Sequence, residues 1–441
     1  MLIVVVPAGQ NAPLSAFTAR LTEAISVQHP ARLLTIREHG GNGLSAYLAE
    51  SATGGYVLAE CDEPASPWTR ECLRRASFIL LVGSADGESS INPIEHEVWQ
   101  GDVNQTGPRK ELVLLHPHRN PYADTSRWLR DRKPHLHYHV ALDQNEDFER
   151  LARMLTGRGV GLVLSGGGAR GFAHIGVIRA LREHKIPIDL VGGTSMGACI
   201  GAQCALGWDY QTMLERNRDC WIRFHPLRDY TIPLVSLLTG RRMVRALTTM
   251  FGDTLIEDLP ISYYCVSSDL VRGEPVVHRD GSLRKYIRAS SSVAGIAPPV
   301  PDRGSLLVDG GVLNNLPADV MRKLHGGTVI AIDVNPYGYG SFIVSRDYGE
   351  SLSAWQILWS RLNPFGPTLR VPNIQAILER VTMLGGIRQA NELLNGTVDL
   401  YIRPPTDEFG FLEMHKLDTI ADIGYRFASV EIEAWKSHVT A

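Results

Sequence analysis

Two glycine-rich turns inside one short stretch constrain this chain more than any other feature. Residues 157–201 hold twelve of its 42 glycines. Over 441 residues glycine makes up about 9.5%, above the ~7% usual for globular proteins, and the surplus sits here. Each turn stands between a short apolar run and a helix-forming run. Gly161–Leu164 reads as a strand, and Gly166-Gly167-Gly168-Ala169-Arg170-Gly171 follows it, before a helix over Ala173–His184. Leu190–Val191 is the next strand, with a turn at Gly192–Ser195 and a helix over Met196–Leu206. Repeated strand–turn–helix units build a parallel sheet covered by helices. Leu190 to Trp208 carries no charge over 19 residues, near the length of a membrane span. Its five glycines, with Thr194, Ser195 and Gln203, make it too polar for lipid, so a buried strand–turn–helix is the better reading.

The first 156 residues alternate in the same way. Strand candidates are Leu2–Val6, Arg32–Ile36, Gly55–Ala59, Phe78–Val82 and Glu111–Leu115, with helices at Ala12–Val27 and Trp68–Arg75. This predicts a Rossmann-like α/β domain over 1–156 and a second α/β domain over 157–441, broken at Gly157. The motif-bearing core of the second runs 161–322, with a C-terminal extension over 335–441. The first strand–helix turn, Pro7-Ala8-Gly9-Gln10-Asn11-Ala12-Pro13, lacks the glycines and lysine of a P-loop, so no nucleotide is assigned to it.

Composition narrows function. Lys plus Arg is 44 and Asp plus Glu is 47, a net charge of −3, so no broad basic field exists for nucleic acid. Six scattered cysteines without CxxC spacing read as reduced thiols of a cytoplasmic protein. The N-terminal run MLIVVVPAG has no basic flank and reads as a buried strand, not a signal peptide. His135, His137 and His139 alternate, so a strand would turn all three to one side. No carboxylate or cysteine stands near in a ligating pattern, and no metal is expected there.

Gly193-Thr194-Ser195-Met196-Gly197 fits GxSxG, a nucleophile held on a tight strand-to-helix turn. The helix that follows points its positive end at the site. The loop 166–171 can aim several backbone N–H groups at one point, suiting a phosphate or an oxyanion. A dinucleotide fingerprint would need an acidic residue at the end of the next strand. Asp189 precedes that strand instead, so the oxyanion reading is favoured. Asp309-Gly310-Gly311 follows the strand Leu306–Val308 and offers a carboxylate base. His174, His278 and His325 lack an active-site context and read as structural, leaving a Ser195–Asp309 dyad as the simplest assignment.

A glycine loop, then GxSxG, then DGG in this order resembles the patatin-like phospholipase family. The likeness extends to the catalytic region of neuropathy target esterase and its bacterial relatives. It runs through RLARMLTGRGVGLVLSGGGARGFAHIGVIRAL, IDLVGGTSMGACIGA, VDGGVLNNLPADV and YIRPPTDEF. The resemblance implies a three-layer α/β/α hydrolase domain, with Ser195 as nucleophile and Asp309 as base. It implies an oxyanion hole at Gly167, Gly168 and Ala169, steadied by Arg170. Ser165 and Met196 replace residues more common in the family. The implied activity is hydrolysis of fatty-acyl esters of lysophospholipids or phospholipids, without metal or cofactor.

Trp355, Leu358, Trp359 and Leu362 recur at helical spacing. A buried face is the slightly favoured reading; the other is a face that meets a membrane from its periphery. Arg241, Arg242 and Arg245 follow the apolar run Ile232–Leu238 and suit either phosphate headgroups or solvent. Two other functions compete with the esterase: a non-catalytic nucleotide-binding or scaffold module that keeps the fold, and an acyl hydrolase or transferase with a non-lipid substrate.

Overall fold

A computed structural model of the chain describes residues 1–10, 12–35, 55–61, 66–100, 107–119, 121–336, 351–362, 377–378, 381 and 396–439. The first sheet holds β1 (Leu2–Pro7), β2 (Ala31–Leu34), β3 (Tyr56–Glu60), β4 (Phe78–Ser84), β5 (Arg109–His116) and β6 (His137–Ala141). Their order is β2-β3-β1-β4-β5-β6, and every pairing is parallel. Leu2 to Val6 is apolar throughout and fully buried, as a central parallel strand covered on both faces must be. The order departs from the common 3-2-1-4-5-6 arrangement only in that the second and third strands change places.

In such sheets a dinucleotide lies where the winding reverses, at the ends of β1 and β4. Here that crevice is filled from within. The Trp128 ring lies so close that a Cβ on Gly9 would meet it at 2.7 Å and one on Gly83 at 2.5 Å. Beside it, Arg132 pairs with Glu95 through bonds of 2.5 and 2.7 Å, both side chains fully buried. Glu95 Oε1 also accepts from the N–H of Gly9 at 3.0 Å. The chain's own carboxylate thus holds the N–H at the turn that a phosphate would use.

The second sheet holds β7 (Val160–Leu164), β8 (Leu190–Thr194), β9 (Ser262–Asp269), β10 (Glu274–His278), β11 (Val300–Asp302), β12 (Ser305–Asp309), β13 (Thr328–Ile332) and β14 (Leu400–Ile402). The order is β11-β12-β9-β8-β7-β13-β14, with β10 also on β9. From β14 to β9 the strands are parallel; β10 and β12 run antiparallel to β9. This mixture positions the site. Thr194, at the end of β8, faces Val266 on β9, and Asp309, at the end of β12, faces the next residue, Ser267. Reversing β12 therefore brings its C-terminal carboxylate level with the β8 turn.

The C-terminal helix Leu417–Val439 packs along Ala173–Glu183. The two backbones approach closely at Gly176 and Gly424, where a Cβ would sit 1.9 and 2.2 Å from the opposing carbonyls. This helix is thus part of the core of the second domain, through Leu417, Ile420, Ala421, Ala428 and Ile432.

The sheets share one apolar core, in which Val5, Phe17, Phe148 and Leu151 meet Val163, Tyr264 and Ala331. Polar bonds close the seam. Nε2 of His135 lies 2.8 Å from the Leu324 carbonyl, and those of His137 and His139 lie 2.9 and 2.8 Å from that of Glu257. Arg153 pairs with Asp189 at 2.7 Å. Burial holds His137 neutral, its pKa pushed down to about 4. Among the described residues no group of three or more His, Cys, Asp or Glu is placed to hold a metal.

The aromatic helix corrects the buried-face expectation. On Ala354–Leu362, Trp355 is 80%, Trp359 72% and Leu362 75% exposed. Helical periodicity identifies a face but not whether anything covers it. Among the described residues no helix is long and apolar enough to cross a membrane. The uncharged run from Leu190 folds as β8 and the helix Met196–Ala205.

Candidate active site

Ser195 joins β8 to the helix Met196–Ala205 with φ 55° and ψ −120°. A non-glycine residue held there stores roughly 1–3 kcal/mol of strain, so the surroundings must fix it. The Ser195 N–H donates to Ser290 Oγ at 2.8 Å, and that hydroxyl donates to the Val266 carbonyl at 2.6 Å. Thr194 Oγ1 donates to the Asn314 carbonyl at 2.9 Å. The elbow glycines let the helix lie on the strands: a Cβ on Gly197 would stand 2.2 Å from the Leu164 carbonyl, and one on Gly193 would strike Gly197 itself.

Ser195 Oγ donates to Asp309 Oδ2 at 2.8 Å. The other carboxylate oxygen accepts from the Gly311 N–H at 2.8 Å, in the short turn that starts at Gly310. Asp309 is 3% exposed. Burial raises its pKa to about 6, against the lowering pull of the Gly311 N–H and the Ser195 hydroxyl. The group is a stronger base than an ordinary carboxylate, yet ionised at neutral pH.

The glycine loop packs directly on the elbow, and a Cβ on Gly166 would come within 3.0 Å of Ser195 Cβ. Gly168 to Phe172 forms a 3-10 turn, and Gly168 itself has φ +58°. Not every N–H of the loop is available. Gly166 donates to the Asn315 carbonyl at 3.3 Å and Ala169 to the Phe411 carbonyl at 2.8 Å. Gly167 and Gly168 donate to no backbone carbonyl among the described residues. The six-residue loop 166–171 therefore narrows to two free donors at its apex. Arg170 reaches the Phe409 carbonyl at 3.2 Å, tying the loop to the C-terminal segment, and Gly171 packs on Met196. Ser165 has work of its own: its Oγ accepts from the Val334 N–H at 3.0 Å.

None of the three histidines hydrogen-bonds to Ser195 or Asp309. His174 Nε2 lies 2.9 Å from the Ser165 carbonyl, His278 meets Ser267 Oγ at 2.7 Å, and His325 accepts from the Gly327 N–H at 3.0 Å. Burial drives the pKa of each down to about 4. Ser290, Phe411 and Asn315 complete the site without a sequence signal of their own. The cleft at Ser195 is apolar, walled by Met196, Trp221, Leu238, Met243, Ile296 and Phe411, and holds about 50 Å³ of free space.

The site thus holds a serine at a strained turn, a buried carboxylate hydrogen-bonded to it, and a glycine loop with two backbone N–H groups beside an apolar cleft. The patatin-like phospholipase family model matches residues 162–322, which span all three features. The chain thus carries a patatin-like phospholipase domain over residues 162–322. It carries in addition the neuropathy target esterase family P-loop like domain, matched over residues 1–146. The human patatin-like phospholipase domain-containing protein 6 is 36% identical over 98% of this chain and 34% of its own length. Neuropathy target esterase sws of Drosophila melanogaster is 35% identical over 98% of this chain and 33% of its own. The chain thus spans about a third of the length of the curated relatives it matches. Among solved structures, VipD from Legionella pneumophila is similar with a TM-score of 0.35 and 14% identity, over 63% of this chain and 67% of that one.

Proposed function

We propose that this chain is a serine esterase that hydrolyses fatty-acyl esters of lysophospholipids and phospholipids. The observation that carries the reading is the 2.8 Å bond from Ser195 Oγ to a buried carboxylate at a strained elbow. As Oγ attacks the ester carbonyl, its proton passes to Asp309 Oδ2. The carbonyl oxygen, now negative, accepts from Gly167 and Gly168. Collapse expels the alcohol, which takes the proton back from Asp309 and leaves the acyl group on Ser195. Water then repeats the steps and frees the fatty acid. No metal enters this sequence of steps.

The lipid substrate is supported by the apolar walls and by the relatives' printed names. A lipid chain needs far more than 50 Å³, so binding widens the cleft. Between the lining residues Leu227 and Leu238 the chain carries exposed apolar side chains: Ile232, Leu234 and Val235 are 77%, 90% and 71% exposed. These residues, and separately Trp355 and Trp359, are exposed apolar side chains suited to meet a membrane peripherally. The test is hydrolysis of lysophosphatidylcholine, phosphatidylcholine, triacylglycerol and a short-chain ester by the parent and by Ser195→Ala. Preference for the phospholipids, abolished in the variant, is expected. Activity only on short esters would defeat the lipid reading, and full activity in Ser195→Ala would defeat the mechanism.

A further inference from the structure

Beside the catalytic cleft lies a second, wider groove of about 530 Å³, lined by Arg241, Arg245, Arg284, Lys285 and Arg288. Its charge is only partly balanced. Lys285 pairs with Asp302 at 2.6 Å and Arg284 with Asp253 at 3.2 Å. Asp229 binds Thr239 Oγ1 and the Arg242 N–H at the start of the helix Arg241–Phe251, and it faces Arg288 only beyond ion-pair distance. Arg241, Arg245 and Arg288 form no ion pair among the described residues.

Arg288 is the unusual member. It is 6% exposed, and burial pulls its pKa down to about 10. One terminal nitrogen donates to Ser292 Oγ and the other to the Pro298 carbonyl at 3.2 Å, while Nε is buried without a partner. A guanidinium has five N–H donors, and two are spent here. A buried cation lacking a counter-charge is expensive to keep. Arg288 and Gly240 line both the groove and the Ser195 cleft, so the two cavities share one wall. The geometry is fixed by a single helix, Leu283–Ser290: Arg288 stands two residues before Ser290, which holds the Ser195 N–H.

Resting on the esterase reading, we infer that this groove is a subsite for the substrate's phosphodiester. The acyl chain enters the apolar cleft, the ester carbonyl lies at Ser195, and the phosphate crosses the shared wall to Arg288, Arg241 and Arg245. Paired N–H groups of a guanidinium match two oxygens of a phosphate. The groove therefore sets selectivity for phosphate-bearing lipids over neutral glycerides.

The test compares lysophosphatidylcholine with a monoacylglycerol of the same chain, in one neutral detergent, for the parent and for Arg241→Ala/Arg245→Ala. The ratio of kcat/KM for the phospholipid to that for the glyceride is expected to fall at least about tenfold, chiefly through KM, since a hydrogen bond to a charged group contributes ~1.5–3 kcal/mol. Arg288→Lys, which keeps charge but loses the fork, is expected to shift the same ratio the same way. A ratio unchanged in both variants overturns the subsite, because loss of bracing alone would lower both substrates together. Inorganic phosphate separates the sources of the anion. Competition against lysophosphatidylcholine only above the concentration needed for glycerophosphocholine supports the lipid headgroup. Equal competition by both overturns a headgroup-specific site. If the parent hydrolyses neither lipid, the esterase reading has failed. The groove is then judged by calorimetry with glycerophosphocholine: binding lost in the double variant supports it, and no heat in the parent overturns it.

Discussion

Replacing Asp309 by Asn should make the protein inactive and, at alkaline pH, more stable. The carboxylate titrates near 6 in the fold instead of the ordinary 3.8, because it is buried. Below 3.8 it is protonated in both folded and unfolded chains and contributes no difference. As pH rises from 3.8 to about 6, the unfolded chain ionises this group while the folded protein still holds its proton, so stability is lost across that window. Above 6 the loss is complete, about 3 kcal/mol for a rise from 3.8 to about 6. Asn removes the charge and keeps an oxygen for the Gly311 N–H; its amide can donate to Ser195 Oγ. Urea unfolding followed by tryptophan fluorescence should show the variant more stable by up to ~3 kcal/mol at pH 8, and equal to the parent near pH 4. Activity of the parent should fall about tenfold per pH unit below 6. A variant no more stable at pH 8, or equally stabilised at both pH values, would refute the claim that Asp309 is a strained, buried base.

Four further outcomes follow from the same structure. Ser290→Ala leaves the buried Ser195 N–H without its acceptor, so unfolding should show a loss of ~1–3 kcal/mol and kcat should fall with it. Gly168→Ala forces a side chain into positive φ with its Cβ 2.4 Å from the Phe411 carbonyl; kcat should drop ~10²-fold, the scale for a displaced oxyanion donor. Arg132→Ala strands Glu95 in the plugged crevice and should destabilise the fold by ~3–5 kcal/mol in denaturant titration. Trp355→Ser with Trp359→Ser should weaken co-sedimentation with phospholipid vesicles at least tenfold, since burying one large side chain contributes ~1.5–3 kcal/mol; unchanged sedimentation would remove this helix from the membrane edge.

What the sequence revealed follows from where each signal is stored. Ser195, its glycines and the loop at 166–171 were legible because strand, turn and helix are written in neighbouring residues. Asp309 was legible as a carboxylate at a strand end, but not the reversal of β12 that carries it to Ser195, because strand direction depends on long-range pairing. The division of labour in the glycine loop was hidden for a similar reason. The Phe411 carbonyl that takes the Ala169 N–H comes from the far end of the chain, and no local pattern announces a backbone acceptor. Ser290 looks like any serine in the last turn of a helix until Ser195 is seen against it. Of the alternating histidines, His137 and His139 lie on β6 while His135 stands just before it, and their partners are carbonyls from 257 and 324, across the seam. The first turn was read as lacking a P-loop; that Glu95, Arg132 and Trp128 occupy its crevice needed three dimensions.

The central claim is that Ser195 carries the acyl group, with Asp309 as the base that frees its oxygen. Acid-quenched reactions with a long-chain lysophospholipid, digested and examined by mass spectrometry, test it most directly. One acyl adduct on the peptide containing Ser195, formed within a turnover and abolished in Asp309→Asn, is the result predicted. An adduct on another residue, or one that forms at the parent's rate in Asp309→Asn, would contradict it.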